Sequence, residues 1–106
     1  MPPGGEDRHL FLGRRVPPSF EWRSVTIDPG GRRAYDCAEW LDSIVAVEQG
    51  SVELEAVDGE RHRFAPGALI WLDGIDLRAI HNRSVVPAVL VAIRRGRRGE
   101  AVGHGT

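Results

Sequence analysis

Cys37, Glu39, Ser43, Trp71, Arg78 and His81 are the residues of this sequence whose types and spacing could do chemistry. Cys37-Ala38-Glu39 sets a thiol and a carboxylate two positions apart. On an extended strand both would face the same way. Arg78 carries a forked cation that grips carboxylates or phosphates and has no lone pair to give a metal. His81 holds the imidazole best suited to ligate a metal or move a proton. It stands three residues after Arg78, so strict alternation puts the two on opposite faces, and a bulge or a slipped register would exchange them. Trp71 is the ring best placed to stack on a flat ligand at a cavity mouth.

None of these completes a catalytic set. There is no Ser-His-Asp arrangement, no phosphate-cradling glycine loop, and no carboxylate pair whose spacing selects a reaction. Cys37 lacks a nearby base and reads as a small, inert, buried hydrophobe. Glu39 and Arg78 take a joint reading. Either they form an ion pair, with Asp36 and Asp42 as competing partners for Arg78, or Arg78 receives a ligand anion while Glu39 acts as base or acceptor. His62, within Glu-Arg-His-Arg, reads as a surface residue. His9 and His104 sit in terminal segments and read as incidental.

Short β-rich runs must position these groups. Phe20 to Ile27 is rich in aromatic and β-branched residues, with Phe20, Trp22 and Ser24 on one face and Glu21, Arg23, Val25 and Ile27 on the other. Arg33 to Trp40 is expected as the next strand, with Tyr35, Cys37 and Glu39 on one face. Further strands are expected over Ser43 to Glu48, Ser51 to Val57, Glu60 to Ala65, Leu69 to Leu72, Ile75 to His81 and Val85 to Arg94. Gln49-Gly50, Asp58-Gly59, Pro66-Gly67 and Asp73-Gly74 separate them, each a turn signal. Glu53 and Glu55 lie across the Asp58-Gly59 turn from Arg61 and Arg63, as cross-strand pairs on a solvated face would. About eight strands and no convincing helix argue for an all-β sandwich or barrel.

The chain's 106 residues suffice for one domain. Residues 1–15 read as a flexible tail, 16–95 as the β-barrel domain, and 96–106 as a second flexible tail. A net charge of −1 gives no field to favour nucleic acid or membrane. The single cysteine excludes an internal disulfide and fits a reducing compartment. The N-terminus lacks a signal pattern, and the longest apolar run, Val85 to Ile93, is broken by Pro87 and too short to span a bilayer. A cytoplasmic protein is expected.

From Gly31 onward the pattern resembles the cupin superfamily. The family's first motif is matched in spacing by Gly31, five residues, Cys37-Ala38-Glu39, three residues, Ser43, six residues and Gly50. Its second motif is matched by Pro66-Gly67-Ala68 at the start and Asn82 at the end, with Arg78 where a histidine is usual. The resemblance implies a small jelly-roll, a double-stranded β-helix barrel. Cupin enzymes hold Fe, Mn, Ni or Zn with imidazoles and a carboxylate. Here those positions are Cys37, Glu39, Ser43 and Arg78, and no imidazole stands at any of them. A fixed cation at such a position repels a metal ion.

The expectation is therefore a metal-independent cupin, with no cofactor, that binds a small organic molecule in the barrel. An anionic molecule is one form this ligand could take, and Cys37, Glu39, Ser43, Trp71, Arg78 and His81 are its candidate contacts. Two alternatives stand beside it. One is an enzyme with an unconventional metal site from Cys37, Glu39 and His81. The other is a structural or regulatory module that forms a homodimer through its sheets, with Leu10-Phe11-Leu12 and the Phe20–Ile27 strand as contacts.

Overall fold

The computed structural model describes residues 9–96. Within them Phe20–Ile27 (β3) has the bounds its β-branched run dictates. Its partners follow as Arg32–Ala34 (β4), Ile44–Gln49 (β5), Val52–Ala56 (β6), Arg61–Phe64 (β7), Leu69–Trp71 (β8), Leu77–His81 (β9) and Ala88–Arg95 (β10). Two four-stranded antiparallel sheets result, in the orders β3-β10-β5-β8 and β4-β9-β6-β7. This is the all-β sandwich expected from the strand spacing, and the jelly-roll that the resemblance implied. Leu10–Phe11 (β1) and Arg14–Arg15 (β2) form a small ribbon, so residues 10–15, read from the sequence as part of a tail, are structured. Residues 1–8 and the tail beyond Gly96 lie outside the described residues.

Register sorts the side chains. Val25, Leu90 and Val47 fall in one row across the first sheet, and Arg23, Ala92, Val45 and Ile70 in the next. Most of these residues enter the core between the sheets, joined from the other sheet by Val52, Leu54, Leu77 and Ile80. Burial of such side chains stabilises the fold by roughly 1.5–3 kcal/mol each.

The two ends of the barrel differ. One is pinned by Asn82, which is fully buried. Its Nδ2 donates to the carbonyls of Ile27 (2.9 Å), Asp28 (3.2 Å) and Val86 (2.8 Å). Its Oδ1 accepts from the amide and hydroxyl of Ser84. The β3–β4 turn and the β9–β10 loop are thereby tied together. Gly50, at the same end, has φ of 69°, and a Cβ there would meet the Pro87 carbonyl oxygen at 2.6 Å. Only glycine fits that approach.

The other end is where β4 stops, β5 begins, β8 stops and β9 begins. The expected strand Arg33 to Trp40 is corrected here. Its extended part ends at Ala34, and Cys37–Trp40 forms one helical turn (α1). Asp36 caps it, its Oδ1 accepting from the Ala38 amide at 3.0 Å. Capping satisfies an amide the strand no longer pairs. The turn delivers Trp40, with 0% exposure, into the core.

Candidate functional site

The helical turn rearranges the residues that spacing had placed on one face. Cys37, expected inside, is exposed. Glu39 is half-buried, and its Oε2 accepts from both Arg23 Nη1, at 3.0 Å, and Arg33 Nη2. Arg23 Nη2 also donates to the Glu39 carbonyl at 2.9 Å, and its guanidinium lies 4.7 Å from the centroid of the Trp40 ring. Ser43 is buried beside this cluster, its Oγ donating to the Leu41 carbonyl at 3.4 Å. A small recess of about 110 Å³ adjoins it, edged by Arg23, Glu39, Ser43 and Arg94.

Arg78 is not inside the barrel. Between Glu55 and Ala56 the β6–β9 register shifts, so Ala79 pairs with Glu55 but Leu77 pairs with Ala56. The extra residue in β9 is Arg78. Its side chain is 54% exposed, Nη2 donates to the Val57 carbonyl at 3.2 Å, and Nε is 3.7 Å from Glu55 Oε2. The expected meeting of Arg78 and Glu39 is therefore overturned by a bulge, which adds one residue to the count on which alternation relied. His81 lies on the same outer face, Nε2 2.8 Å from Glu55 Oε1. Trp71 is 51% exposed on edge strand β8, in a row with Ile44, Ile93 and Trp22 on the outside of the first sheet. None of the six candidates lines the main cleft described below.

The acid groups of the outer face are set by these contacts. The hydrogen bond from His81 lowers the Glu55 pKa and outweighs partial desolvation, with Arg61 and Arg78 adding attraction. Desolvation pulls Glu53 upward, but hydrogen bonds from Arg83 and Arg61 prevail and lower it.

The metal-ligand set implied by the resemblance does not fit. Glu39 Oε2 is held by two guanidinium groups, and a cation there would face both positive charges. Cys37 is on the surface and His81 is bound to Glu55 outside the sheet. Among the described residues no three His, Cys, Asp or Glu side chains converge. The unconventional set of Cys37, Glu39 and His81 is not assembled.

What the open end does contain is a cleft of about 530 Å³ between β8 and the β6–β7–β9 side of the second sheet. Leu54, Phe64, Ile70 and Leu77 form its apolar walls. The β6–β7 turn supplies Asp58 and Glu60, the β8–β9 loop supplies Asp76, and β7 supplies His62. His62 is exposed, as its charged neighbours in the sequence led us to expect, with 64% of its side chain open to solvent, and its pairing with Leu54 sets it at the edge of this cleft.

No family profile and no curated protein matches the chain. Solved structures do. A cupin 2 conserved barrel domain protein from Salinispora arenicola superposes with a TM-score of 0.55 at 21% identity, over 78% of this chain and 68% of that one. The cupin domain of an XRE family transcriptional regulator from Enterobacter cloacae gives 0.52 at 22% identity, over 74% and 84%. A sugar phosphate isomerase of the cupin superfamily from Silicibacter pomeroyi gives 0.51 at 26% identity, over 74% of this chain and only 52% of that one. This chain thus spans about half of that isomerase's length.

Proposed function

We propose that this chain, a cupin by its fold, is a metal-independent binding module that takes a small organic molecule into the open end of its barrel. The cleft of about 530 Å³ carries the reading. Its size falls within the roughly 300–1,000 Å³ typical of small-molecule sites, and apolar walls with a few polar groups at the edge are the usual composition of such sites. The misfit of the metal-ligand positions supports independence from a metal. The neighbours are of mixed kind, an isomerase and a regulator domain among them, and the cleft supplies no catalytic set of its own.

Amide chemical-shift mapping with a fragment library tests this. Binders are expected to perturb Val57 to Glu60 and Asp76 together, and Ala56→Phe, which projects a ring into the cleft, is expected to abolish the effect. A library that produces no saturable shifts at these residues, with the fold intact, removes the reading.

A second reading has its own observation. Leu41, Ile44, Leu69 and Trp71 are exposed together at the edge of the first sheet, Leu69 by 58%. A homodimer through this face would cover them. Trp71→Glu is expected to shift a dimer to monomer in light scattering. A wild-type chain that is monomeric at high concentration counts against it.

A further inference from the structure

We infer that the cleft selects a molecule with an apolar body and a cationic nitrogen, of the arylalkylamine type. This rests on the reading of the cleft as a ligand site and adds the sign of the charge it prefers. The cleft is the site; the acidic groups around it decide its polarity.

The argument is the sorting of charge by the second sheet. Along β7 the residues alternate as Arg61, His62, Arg63 and Phe64. Register puts Arg61 opposite Glu55 and Arg63 opposite Glu53, on the outer face, and His62 opposite Leu54, on the inner face. Arg61 is held outside by Glu53, 3.0 Å away. The bulge in β9 sends Arg78 outside as well, to Glu55 and the Val57 carbonyl. Among the described residues no arginine lines the cleft. Its charged edge is Asp58, Glu60 and Asp76, against one imidazole, His62, whose Nε2 lies 3.4 Å from Glu60 Oε1. The Asp58 Oδ1 also caps the β6–β7 turn, accepting from the Glu60 amide at 2.9 Å. Carboxylates from two separate loops therefore flank an apolar cavity, while Arg61 and Arg78 are paired with Glu53 and Glu55 of the outer face, Arg78 reaching only the backbone carbonyl of Val57 at the cleft. These carboxylates stand exposed at the rim, Glu60 with 69% of its side chain open to solvent, so their field acts, screened by salt, on the part of a ligand that stays at the edge. An apolar group can occupy the floor formed by Leu54, Phe64 and Ile70 while an ammonium stays at the acidic edge, and a carboxylate in that position is repelled.

The test uses three probes that share a phenylethyl body, 2-phenylethylamine, 2-phenylethanol and 3-phenylpropionate, titrated into the whole chain at neutral pH and followed by amide shifts of Val57 to Glu60 and Asp76. The amine is expected to bind about ten-fold or more tightly than the carboxylate, ~1.4 kcal/mol, with the alcohol between. Added salt is expected to narrow the gap. The variant carrying Asp58→Asn, Glu60→Gln and Asp76→Asn should bring the amine to the alcohol's affinity; Asn at position 58 keeps an oxygen for the turn. Asp76→Asn alone, outside the turn, should move the amine the same way by a smaller factor if the triple variant does not fold. Alcohol binding with the amine no tighter overturns the charge preference and leaves the cleft reading standing. Tightest binding by the carboxylate does the same. No saturable shift from any probe overturns both.

Discussion

Arg23 lays its guanidinium over the Trp40 indole, 4.7 Å from the ring centroid, while its Nη1 donates to Glu39 Oε2 at 3.0 Å. Three residues from a strand and a helical turn thus lock α1 against the first sheet. Arg33 adds a second donor to the same oxygen, although its Nε is buried without a partner. The pair is only partly shielded, with the arginine side chains 37% and 38% exposed. Glu39→Gln is expected to cost about 1–2 kcal/mol in urea unfolding, between the values for exposed and fully buried pairs. Arg33→Met should cost less, because it also removes the unpaired Nε. An equal or larger cost for Arg33→Met than for Glu39→Gln contradicts this division of roles.

Asn82 makes a different kind of prediction, because every polar atom of its side chain is engaged. Asn82→Ala would leave the buried carbonyl of Ile27 and its neighbours without a donor and open a small void. An expected loss of about 2–4 kcal/mol follows from unsatisfied acceptors and lost packing together. Asn82→Asp should be no better, since a carboxylate has no donor for the same carbonyls. A loss under about 1 kcal/mol for both variants, within the usual range of a surface change, would show that the clamp is not what holds this end.

Gly50→Ala tests the same end through the backbone. The added methyl would meet the Pro87 carbonyl oxygen at 2.6 Å, in a residue already at φ of 69°. Strain of about 1–3 kcal/mol is expected, seen as a lowered midpoint at unchanged denaturant slope. Gly59→Ala serves as the comparison: it has φ of 97° but open space around it, and should cost less.

Architecture was legible in the sequence because turn chemistry and strand alternation agree from Phe20 to Arg95. The site was not, and two local features explain why. Asp36-Cys37-Ala38-Glu39 carries the cap-then-acid pattern that starts a helix, but the motif spacing from Gly31 to Gly50 favoured a strand there. One helical turn then moved Cys37 to the surface and put Trp40 in the core. Arg78 was displaced by a single extra residue in β9, which nothing in Leu-Arg-Ala-Ile-His announces. The cleft itself was legible in part. Leu54 and Phe64 follow the alternation of their strands inward, whereas the charges at its edge depend on which face each neighbouring arginine takes.

Acid stability should depend on Glu55. Its pKa is lowered, first by the hydrogen bond from His81. A depressed carboxyl binds fewer protons folded than unfolded, so its contribution is present above the ordinary glutamate value of about 4.3 and is lost as pH falls through the folded value. Glu55→Gln should therefore flatten the acid limb of the melting temperature against pH. His81→Ala, which removes the leading cause, should flatten it in part. An acid limb of wild-type steepness in Glu55→Gln would show that this contact carries no pH-linked stability.

Tyr35 is the chain's single tyrosine and so reports on the open end without interference. It is half-buried and packs against the core. Burial raises its pKa, and the negative charge of Cys37, Asp73 and Asp36 raises it further. Phenolate absorbance should therefore appear above the ordinary value of about 10, with far-ultraviolet circular dichroism confirming that the chain is still folded. Asp73→Asn should lower the midpoint while leaving most of the rise, since burial is the larger cause; the asparagine oxygen remains available to the Asp42 amide that Asp73 now receives. A wild-type midpoint at or below the ordinary value would place Tyr35 in solvent, and α1 with it would have to sit away from the β8–β9 loop.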